Sequence, residues 1–412
     1  MAAQQGLGTA LQGVRVLDIS NFLAAPLCSM FLADFGAEVI KIERPGQGDE
    51  MRLWGNNRDG VGLYYKVVNR GKQSVTADLR TPLGVEIIKR LAAESDVIVE
   101  NYRTGKLESW GLGPEVLHAI NPALVIVRVT GFGQSGPYRG RPGFGTLAEA
   151  YAGYAQISGD ADGPPMLPGF GLADATTGLM AAYLASVALH EARRSGTGQV
   201  VDLAIYETLL TLLGPQVVNF DQLGLVQQRD GSRLPFTAPR NTYRTRDGKW
   251  IAMAGSAQSA FERICQALEI PALVRDPRFA TNRARLTHHK ALDVALQEAI
   301  GRLDLAELQD RFLAHDAPMA PVNDIAQILQ DPQILARDNI VALPDEELGG
   351  QLRMQNVVGK LSRTPGRIRS TGPRLGEHNR AVLVDRLGID PARLAAAGID
   401  VTAPAMVASA HD

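Results

Sequence analysis

One carboxylate in this chain sits where it can do more than hold structure together. Asp174 falls in Pro168-Gly-Phe-Gly-Leu-Ala-Asp174-Ala-Thr-Thr-Gly178, a glycine-loosened loop running into an apolar segment with Leu179, Met180, Tyr183, Leu184 and Leu189. Two roles are open to an Asp at such a helix start. As an N-cap, its side chain accepts from the N–H groups of the first turn. As a nucleophile it attacks a carbonyl, and the helix N-terminus favours the ionised form that attack requires.

A second set of residues has the chemistry of anion binding. Arg44 follows one β-rich run, Arg80 follows the run Ser74 to Leu79, and Asn101-Tyr102-Arg103 follows the run Asp96 to Glu100. All three lie at the carboxyl ends of expected parallel strands, the edge where open α/β sheets bind ligands, so they can converge on one polyanion. Tyr102 adds a flat face for a base.

Several other chemistries are disfavoured. Gly131-Phe-Gly133-Gln-Ser-Gly136 has the spacing of a dinucleotide fingerprint, but Pro137-Tyr-Arg-Gly-Arg-Pro142 follows it where a helix N-terminus would have to meet the pyrophosphate. Neither a Walker A sequence nor a Gly-x-Ser-x-Gly elbow is present. The seven histidines form no metal pattern: His288-His289 reads as a solvated helix face and His378 as part of a capping turn. Cys28 and Cys265 stand far apart without ligand-spaced partners, so neither a disulfide framework nor a zinc site is implied, and a reducing cytoplasm fits best. No metal and no cofactor is expected. A net charge of −2 gives no global attraction to nucleic acid or an anionic membrane. The N-terminus lacks a secretory pattern, and no apolar run approaches the roughly 20 residues needed to cross a bilayer.

The elements that must position these groups alternate. Val14 to Ile19, Glu38 to Ile42, Ser74 to Leu79, Asp96 to Glu100 and Leu124 to Val129 read as strands; Pro26 to Phe35 and Pro82 to Leu91 read as helices between them. That alternation predicts a parallel sheet with helices on both faces. After the Asp174 helix, Arg193-Arg194-Ser-Gly-Thr-Gly198 is a helix stop, and a second helix is expected from Asp202 through Leu213. Asp230 to Asn241, with Pro235 and Pro239, reads as a connector. Beyond it, Thr242 to Thr245 and Trp250 to Met253 flank Asp247-Gly248 as a hairpin, followed by helices around Phe261 to Leu268, Ala291 to Leu303 and Leu305 to Ala314. Pro318 to Val322 marks another passage, Arg380 to Leu387 a last helix, and the tail from Ala403 is expected to fray. With 412 residues, 45% of them hydrophobic, the chain supplies two or three cores. The expected division is an α/β domain over residues 1–225, a small α+β domain over 226–335, and a C-terminal part, 336–412, rejoining the first.

Taken in order along the chain, the motifs resemble the class III CoA-transferases, which include formyl-CoA and carnitine-type CoA-transferases. The resemblance rests on Val-Leu-Asp18 with Ala24-Ala-Pro26; Leu-Ala-Asp34-Phe-Gly36-Ala-Glu-Val-Ile-Lys-Ile-Glu43-Arg44; Asn69-Arg-Gly-Lys72-Gln-Ser74; Glu-Asn101-Tyr102-Arg; Gly131-Phe-Gly; Asp174; Gly198-Gln-Val-Val-Asp202; and Pro373-Arg-Leu-Gly376-Glu-His378. It implies a Rossmann-like large domain built from both chain ends, a smaller middle domain and an interlocked homodimer. It also implies that Asp174 attacks an acyl-CoA thioester to give a mixed anhydride, and that CoA returns to form an aspartyl thioester, with CoA a substrate rather than a cofactor. An anhydride keeps the acyl group activated, so transfer between acids needs neither ATP nor metal. By the same resemblance, Asn21, Phe22, Leu23 and Ala24 lie near the pantetheine, Arg44 and Arg80 at the phosphates, Ala77 and Leu79 beside the nucleotide, and Asn101, Tyr102 and Arg103 around the pyrophosphate and adenine.

Two departures narrow the substrate. Leu23 stands where oxalate-using members carry Gln, and Gly145 where they carry an acidic residue, so the resemblance does not extend to oxalate specificity. Arg240, beside the connector, suits a second carboxylate, which favours succinyl-CoA as donor and a small dicarboxylate as acceptor. The rivals are a 2-methylacyl-CoA racemase, whose proton-transferring His would fall at Phe144, a nucleotide-dependent oxidoreductase, and a non-catalytic acyl-CoA binder.

Overall fold

The computed structural model describes residues 8–402; the tail expected to fray lies outside the described residues. The chain divides into two compact units. One comprises Met1–Ala152, Pro168–Leu213 and Pro332–Asp412; the other comprises Gly153–Leu167 and Gly214–Asp331. This differs from the sequence-based division in three places: Gly153–Leu167 and residues 214–225 join the middle unit, and residues 332–335 join the first.

The first unit is built on a six-stranded, wholly parallel sheet. Its strands are β1 (Arg15–Asp18), β2 (Glu38–Glu43), β3 (Lys72–Thr76), β4 (Val97–Glu100), β5 (Val125–Thr130) and β6 (Val200–Ala204). Their spatial order is β3-β2-β1-β4-β5-β6. Val- and Ile-rich runs such as Val125–Thr130 are buried along their whole length, as strands covered on both faces must be. The order reverses between β1 and β4, and that switch point is where an open α/β sheet leaves a crevice at its carboxyl edge.

Two strands differ from expectation. Val200–Ala204 is a strand where a helix from Asp202 was expected; the helix begins only at Ile205. Gly198 explains why. A Cβ there would lie 2.0 Å from the carbonyl oxygen of Leu124, so only glycine lets the chain come down beside β5 and pair with it. The third strand runs Lys72–Thr76, which leaves Ala77 to Arg80 as a turn before the next helix.

Three helices position residues at that carboxyl edge. Helix α1 (Ala24–Asp34) leaves the end of β1; α2 (Gly145–Tyr151) follows the long loop after β5; α3 (Leu172–Ser195) ends at Gly196, whose φ is +74°. Helix α3 is long and apolar enough to cross a bilayer by length and composition, but it packs a face of small residues against α1. Gly178 marks the closest approach, since a Cβ there would lie 2.5 Å from Cβ of Leu27 and 2.9 Å from the carbonyl oxygen of Ala24. Asp174 is thereby tied to the loop that leaves β1.

The C-terminal segment returns to β3 through side-chain bonds. The Ser74 N–H donates to Nδ1 of His378 at 3.2 Å, and Asn379 accepts from the Thr76 N–H at 2.7 Å while donating to the Thr76 hydroxyl at 2.9 Å. His378 therefore joins chain segments rather than capping a helix.

The second unit has a three-stranded antiparallel sheet, β7 (Arg240–Arg244), β8 (Trp250–Ala254) and β9 (Met319–Pro321), in the order β9-β8-β7. The expected hairpin is present, and the connector ends earlier than expected because Arg240 and Asn241 already pair with Ala254 and Met253. Pro318 to Val322, read as a passage, supplies the third strand. Helices Gln258–Ala267, His289–Ile300 and Leu305–Ala314 cover the sheet around Tyr243, Ile251, Phe261 and Phe312.

Candidate active site

At the switch point, a cavity of about 440 Å³ opens between the ends of β1 and β4, the loop after β5, and the N-termini of α2 and α3. Asn21, Phe22, Leu23 and Ala24 line it from β1, Asn101, Tyr102 and Arg103 from β4, Phe144 and Gly145 from α2, and Asp174 from α3.

A buried polar network fixes the β1 side. Asp18 accepts from Lys72 Nζ at 2.9 Å, from the Ser29 hydroxyl at 2.6 Å and from the Ser20 N–H at 3.0 Å. Burial alone would raise the Asp18 carboxyl, but Lys41 and Lys72 hold it well below the usual carboxylate range. Lys41 also pairs with Asp49 at 2.8 Å and donates to the Ser20 carbonyl at 2.8 Å. Asp49 in turn accepts from the Phe22 N–H at 3.0 Å. Three charged motifs of the sequence thus meet beneath one loop. Across the crevice, the Asn101 side chain accepts from the Asn21 N–H at 2.9 Å and donates to the Asn21 carbonyl at 2.7 Å.

The glycine-rich loop after β5 folds back on itself. A Cβ on Gly131 would lie 2.4 Å from Cα of Gly143, so the two backbones touch. Asp202 of β6 accepts from the Gln134 N–H at 3.0 Å and anchors the turn. The fold-back carries Phe144 and Gly145 to Asp174. Phe132, Tyr138, Tyr151 and Tyr206 pack edge-on or tilted behind it.

Asp174 is not the N-cap of its helix. Helix α3 starts after Gly171, and Asp174 is its third residue. The capping role falls instead to Glu149 of α2, whose buried carboxylate accepts from the Ala173 N–H at 3.1 Å. Asp174 is left free to face the cavity, walled by Gly145, Gly171 and Leu23: a Cβ on Gly145 would lie 2.3 Å from its Oδ2, and one on Gly171 3.5 Å from the same oxygen and 2.9 Å from Cδ2 of Leu23. No group among the described residues donates a hydrogen bond to it. Burial, aided by the nearby Glu149 charge, pushes its pKa up to about 6. Burial outweighs the helix start, because a terminus contributes only about 0.3–1 kcal/mol whereas a two-unit rise corresponds to roughly 3 kcal/mol. At neutral pH the carboxylate is still mostly ionised, weakly solvated and unpaired, a state with the chemistry for nucleophilic attack.

A family model described as CoA-transferase family III matches residues 11–379. The chain belongs to CoA-transferase family III. It is 45% identical over 380 residues to the succinyl-CoA–D-citramalate CoA-transferase of Chloroflexus aurantiacus, covering 92% of this chain and 94% of that one. It is 35% identical to the succinate–glutarate CoA-transferase of Agrobacterium fabrum, covering 91% and 95% of the two chains. A CaiB/BaiF family protein from Brucella suis has a similar crystal structure, with a TM-score of 0.82 at 33% identity, over 92% of this chain and all of that one.

In this CoA-transferase the residues expected at CoA are not gathered in one place. Arg44 and Arg80 line a separate cavity of about 910 Å³, also in the first unit, with Gln47, Asp78 and Arg393. Arg80 is exposed and forks onto Asp78 at 2.9 and 2.7 Å, and Arg44 donates to Gln47 at 2.7 Å. Ala77 and Leu79 are buried in the core beneath the sheet edge, so their side chains close the turn that presents Asp78 and Arg80. Tyr102 packs edge-on against Trp110, 4.8 Å between ring centroids. Arg240 belongs to the second unit, in a cavity of about 960 Å³, where it donates to the Ser232 carbonyl.

Sequence reasoning missed Glu149, Trp54 and Tyr64. Glu149 lies one helical turn beyond Gly145, a spacing without meaning until α2 is known to abut α3. Trp54 lines the Asp174 cavity and stacks on Tyr64, 5.8 Å between centroids, and the Tyr64 phenol is raised by burial and by the Asp174 charge.

Proposed function

We propose that the enzyme moves CoA from succinyl-CoA to a small dicarboxylic acid, with Asp174 as the covalent nucleophile. The observation that carries the reading is the unpaired Asp174 carboxylate held in a glycine cradle at the switch point of the sheet. The carboxylate attacks the thioester carbonyl, the C–S bond breaks, and a mixed anhydride and CoA thiolate result. The thiolate then attacks the aspartyl carbonyl, releasing the donor acid and leaving an aspartyl–CoA thioester. The acceptor acid reverses both steps, so activation is conserved without ATP, metal or redox cofactor, and CoA is a substrate throughout.

The glycine walls allow a thioester to come against Asp174, where a side chain would block it. Helix α2 begins at this point, and the first N–H groups of a helix lack intrahelical partners, which suits an oxyanion. Arg103, Arg139 and Arg141 line the same cavity without an acidic partner among the described residues, which suits polyanionic CoA and acids. The succinyl donor and dicarboxylate acceptor are favoured by the names of the relatives from Chloroflexus and Agrobacterium. Phe144 lines the cavity where a racemase would need a proton-transferring His.

The proposal extends to a homodimer in the cytoplasm. Leu179, Tyr183 and Val187 form an exposed apolar stripe at helical spacing on α3, the kind of surface a second copy covers. Trapping tests the chemistry. Incubation with succinyl-CoA followed by hydroxylamine or borohydride is expected to label the peptide holding Asp174, read by mass spectrometry; a fully active Asp174→Ala variant would overturn the mechanism.

A further inference from the structure

Phe22 has φ +63°, in the left-handed region that a bulky side chain ordinarily avoids. Strain of this kind persists only where the surroundings over-determine it, and here they do. Asn21, just before it, is clamped by Asn101 through hydrogen bonds to both its backbone groups, and the Phe22 N–H is held by Asp49, itself locked onto buried Lys41. Packing does not repay the conformation, because the Phe22 side chain ends 36% exposed. What the strain achieves is a placement. The ring meets that of Phe144 edge-on, with centroids 6.3 Å apart and planes at 80°, and both rings line the cavity that holds Asp174. Phe144 is also 58% exposed, and it immediately precedes the glycine that touches the Asp174 carboxylate.

We infer that Phe22 and Phe144 form an apolar screen that keeps water away from the acylated Asp174, so that a carboxylic acid rather than water takes the activated group. The inference rests on the covalent mechanism proposed for Asp174. Both intermediates are open to water. At the thioester, its oxygen adds to the aspartyl carbonyl carbon, the C–S bond breaks, CoA leaves as the thiol with one proton, and the Asp174 carboxylate is regenerated with release of the other. Each such event wastes one thioester. Two rings in the cavity wall lower the local water concentration while leaving room for the flat carboxylate of an acceptor. Backbone strain at Phe22 is then the cost of aiming an aromatic ring at a place no relaxed residue in this turn would reach.

The test compares exchange with hydrolysis in one vessel. The protein is given succinyl-CoA and 13C-labelled succinate; label entering succinyl-CoA reports transfer, and free thiol reports hydrolysis. Phe22→Gly is the informative variant, because glycine adopts φ +63° without strain and the fold should keep its thermal midpoint. Phe22→Gly and Phe144→Ala are each expected to raise hydrolysis per exchange event by about tenfold or more, and Phe144→Tyr to bring the ratio back toward that of the unaltered protein. Folded variants whose exchange falls without a rise in the ratio would show a binding or structural role and overturn the screen. An unaltered protein that exchanges no label would instead remove the covalent succinyl mechanism, and the screen with it.

Discussion

Gly145 faces the Asp174 carboxylate with no space between them: a Cβ at this position would lie 2.3 Å from Oδ2 and 2.7 Å from Cγ. The contact joins the first residue of α2 to the third residue of α3, and it makes the smallest side chain a condition of the site. Gly145→Ala is therefore expected to turn the carboxylate out of its position. The measurable outcome is a fall in kcat of about 100-fold, as for a misplacement of roughly 1 Å, with circular dichroism unchanged. Retention of full activity would mean that the carboxylate works from another position.

The same carboxylate is costly to bury. Its folded value of about 6 lies above the unfolded value near 3.8, so the folded state binds the proton more tightly. Its contribution is undiminished below about pH 4 and is lost as pH rises from about 4 to about 6. Asp174→Asn, which carries no charge, should therefore stabilise the protein at pH 8 by on the order of 1–3 kcal/mol, and by less at pH 5. Urea unfolding at the two pH values reads the difference directly; equal gains at both would show that charge burial is not the cause.

Activity should follow the opposite course. Because only the ionised carboxylate attacks, kcat/KM for succinyl-CoA is expected to fall about tenfold per unit as pH drops below about 6. Above that value the profile should be flat until another group titrates. A profile flat down to about pH 4.5 would indicate a carboxyl that is not raised, and thus one better solvated than the glycine cradle suggests.

How much of the molecule was legible in the residues varies with the range of the cause. The parallel sheet was legible because Val- and Ile-rich runs alternate with capped helices, and each is a local signal. Val200–Ala204 was not, since its pairing depends on Gly198 passing the Leu124 carbonyl, a contact between segments far apart in the chain. Asp174 stood out through its glycines, yet the rise in its pKa did not. The helix start is written in the sequence, whereas desolvation by burial and the neighbouring charge of Glu149 arise only on folding. The strained conformation of Phe22 left no local trace, because it is imposed by Asn101 and Asp49 from two other segments.

The Asn21–Asn101 pair bridges the switch point and offers a separate check on how the β1 loop is held. Its two hydrogen bonds satisfy both backbone groups of Asn21, so deleting the amide leaves a partly buried donor and acceptor unmet. Asn101→Ala is expected to cost about 1–3 kcal/mol in unfolding free energy and to let the Asn21 to Ala24 loop relax from its strained path. Since that loop lines the cavity and Asp174 sits on a different helix, the loss should appear first as a higher KM for acyl-CoA. The rate of succinylation at saturation should fall less, as seen by quenched-flow trapping of the enzyme-bound acyl group. Asn101→Asp discriminates further, because a carboxylate can accept from the Asn21 N–H but cannot donate to its carbonyl. If Asp restores the KM, acceptance from the N–H suffices; if it does not, the second bond is required to hold the loop.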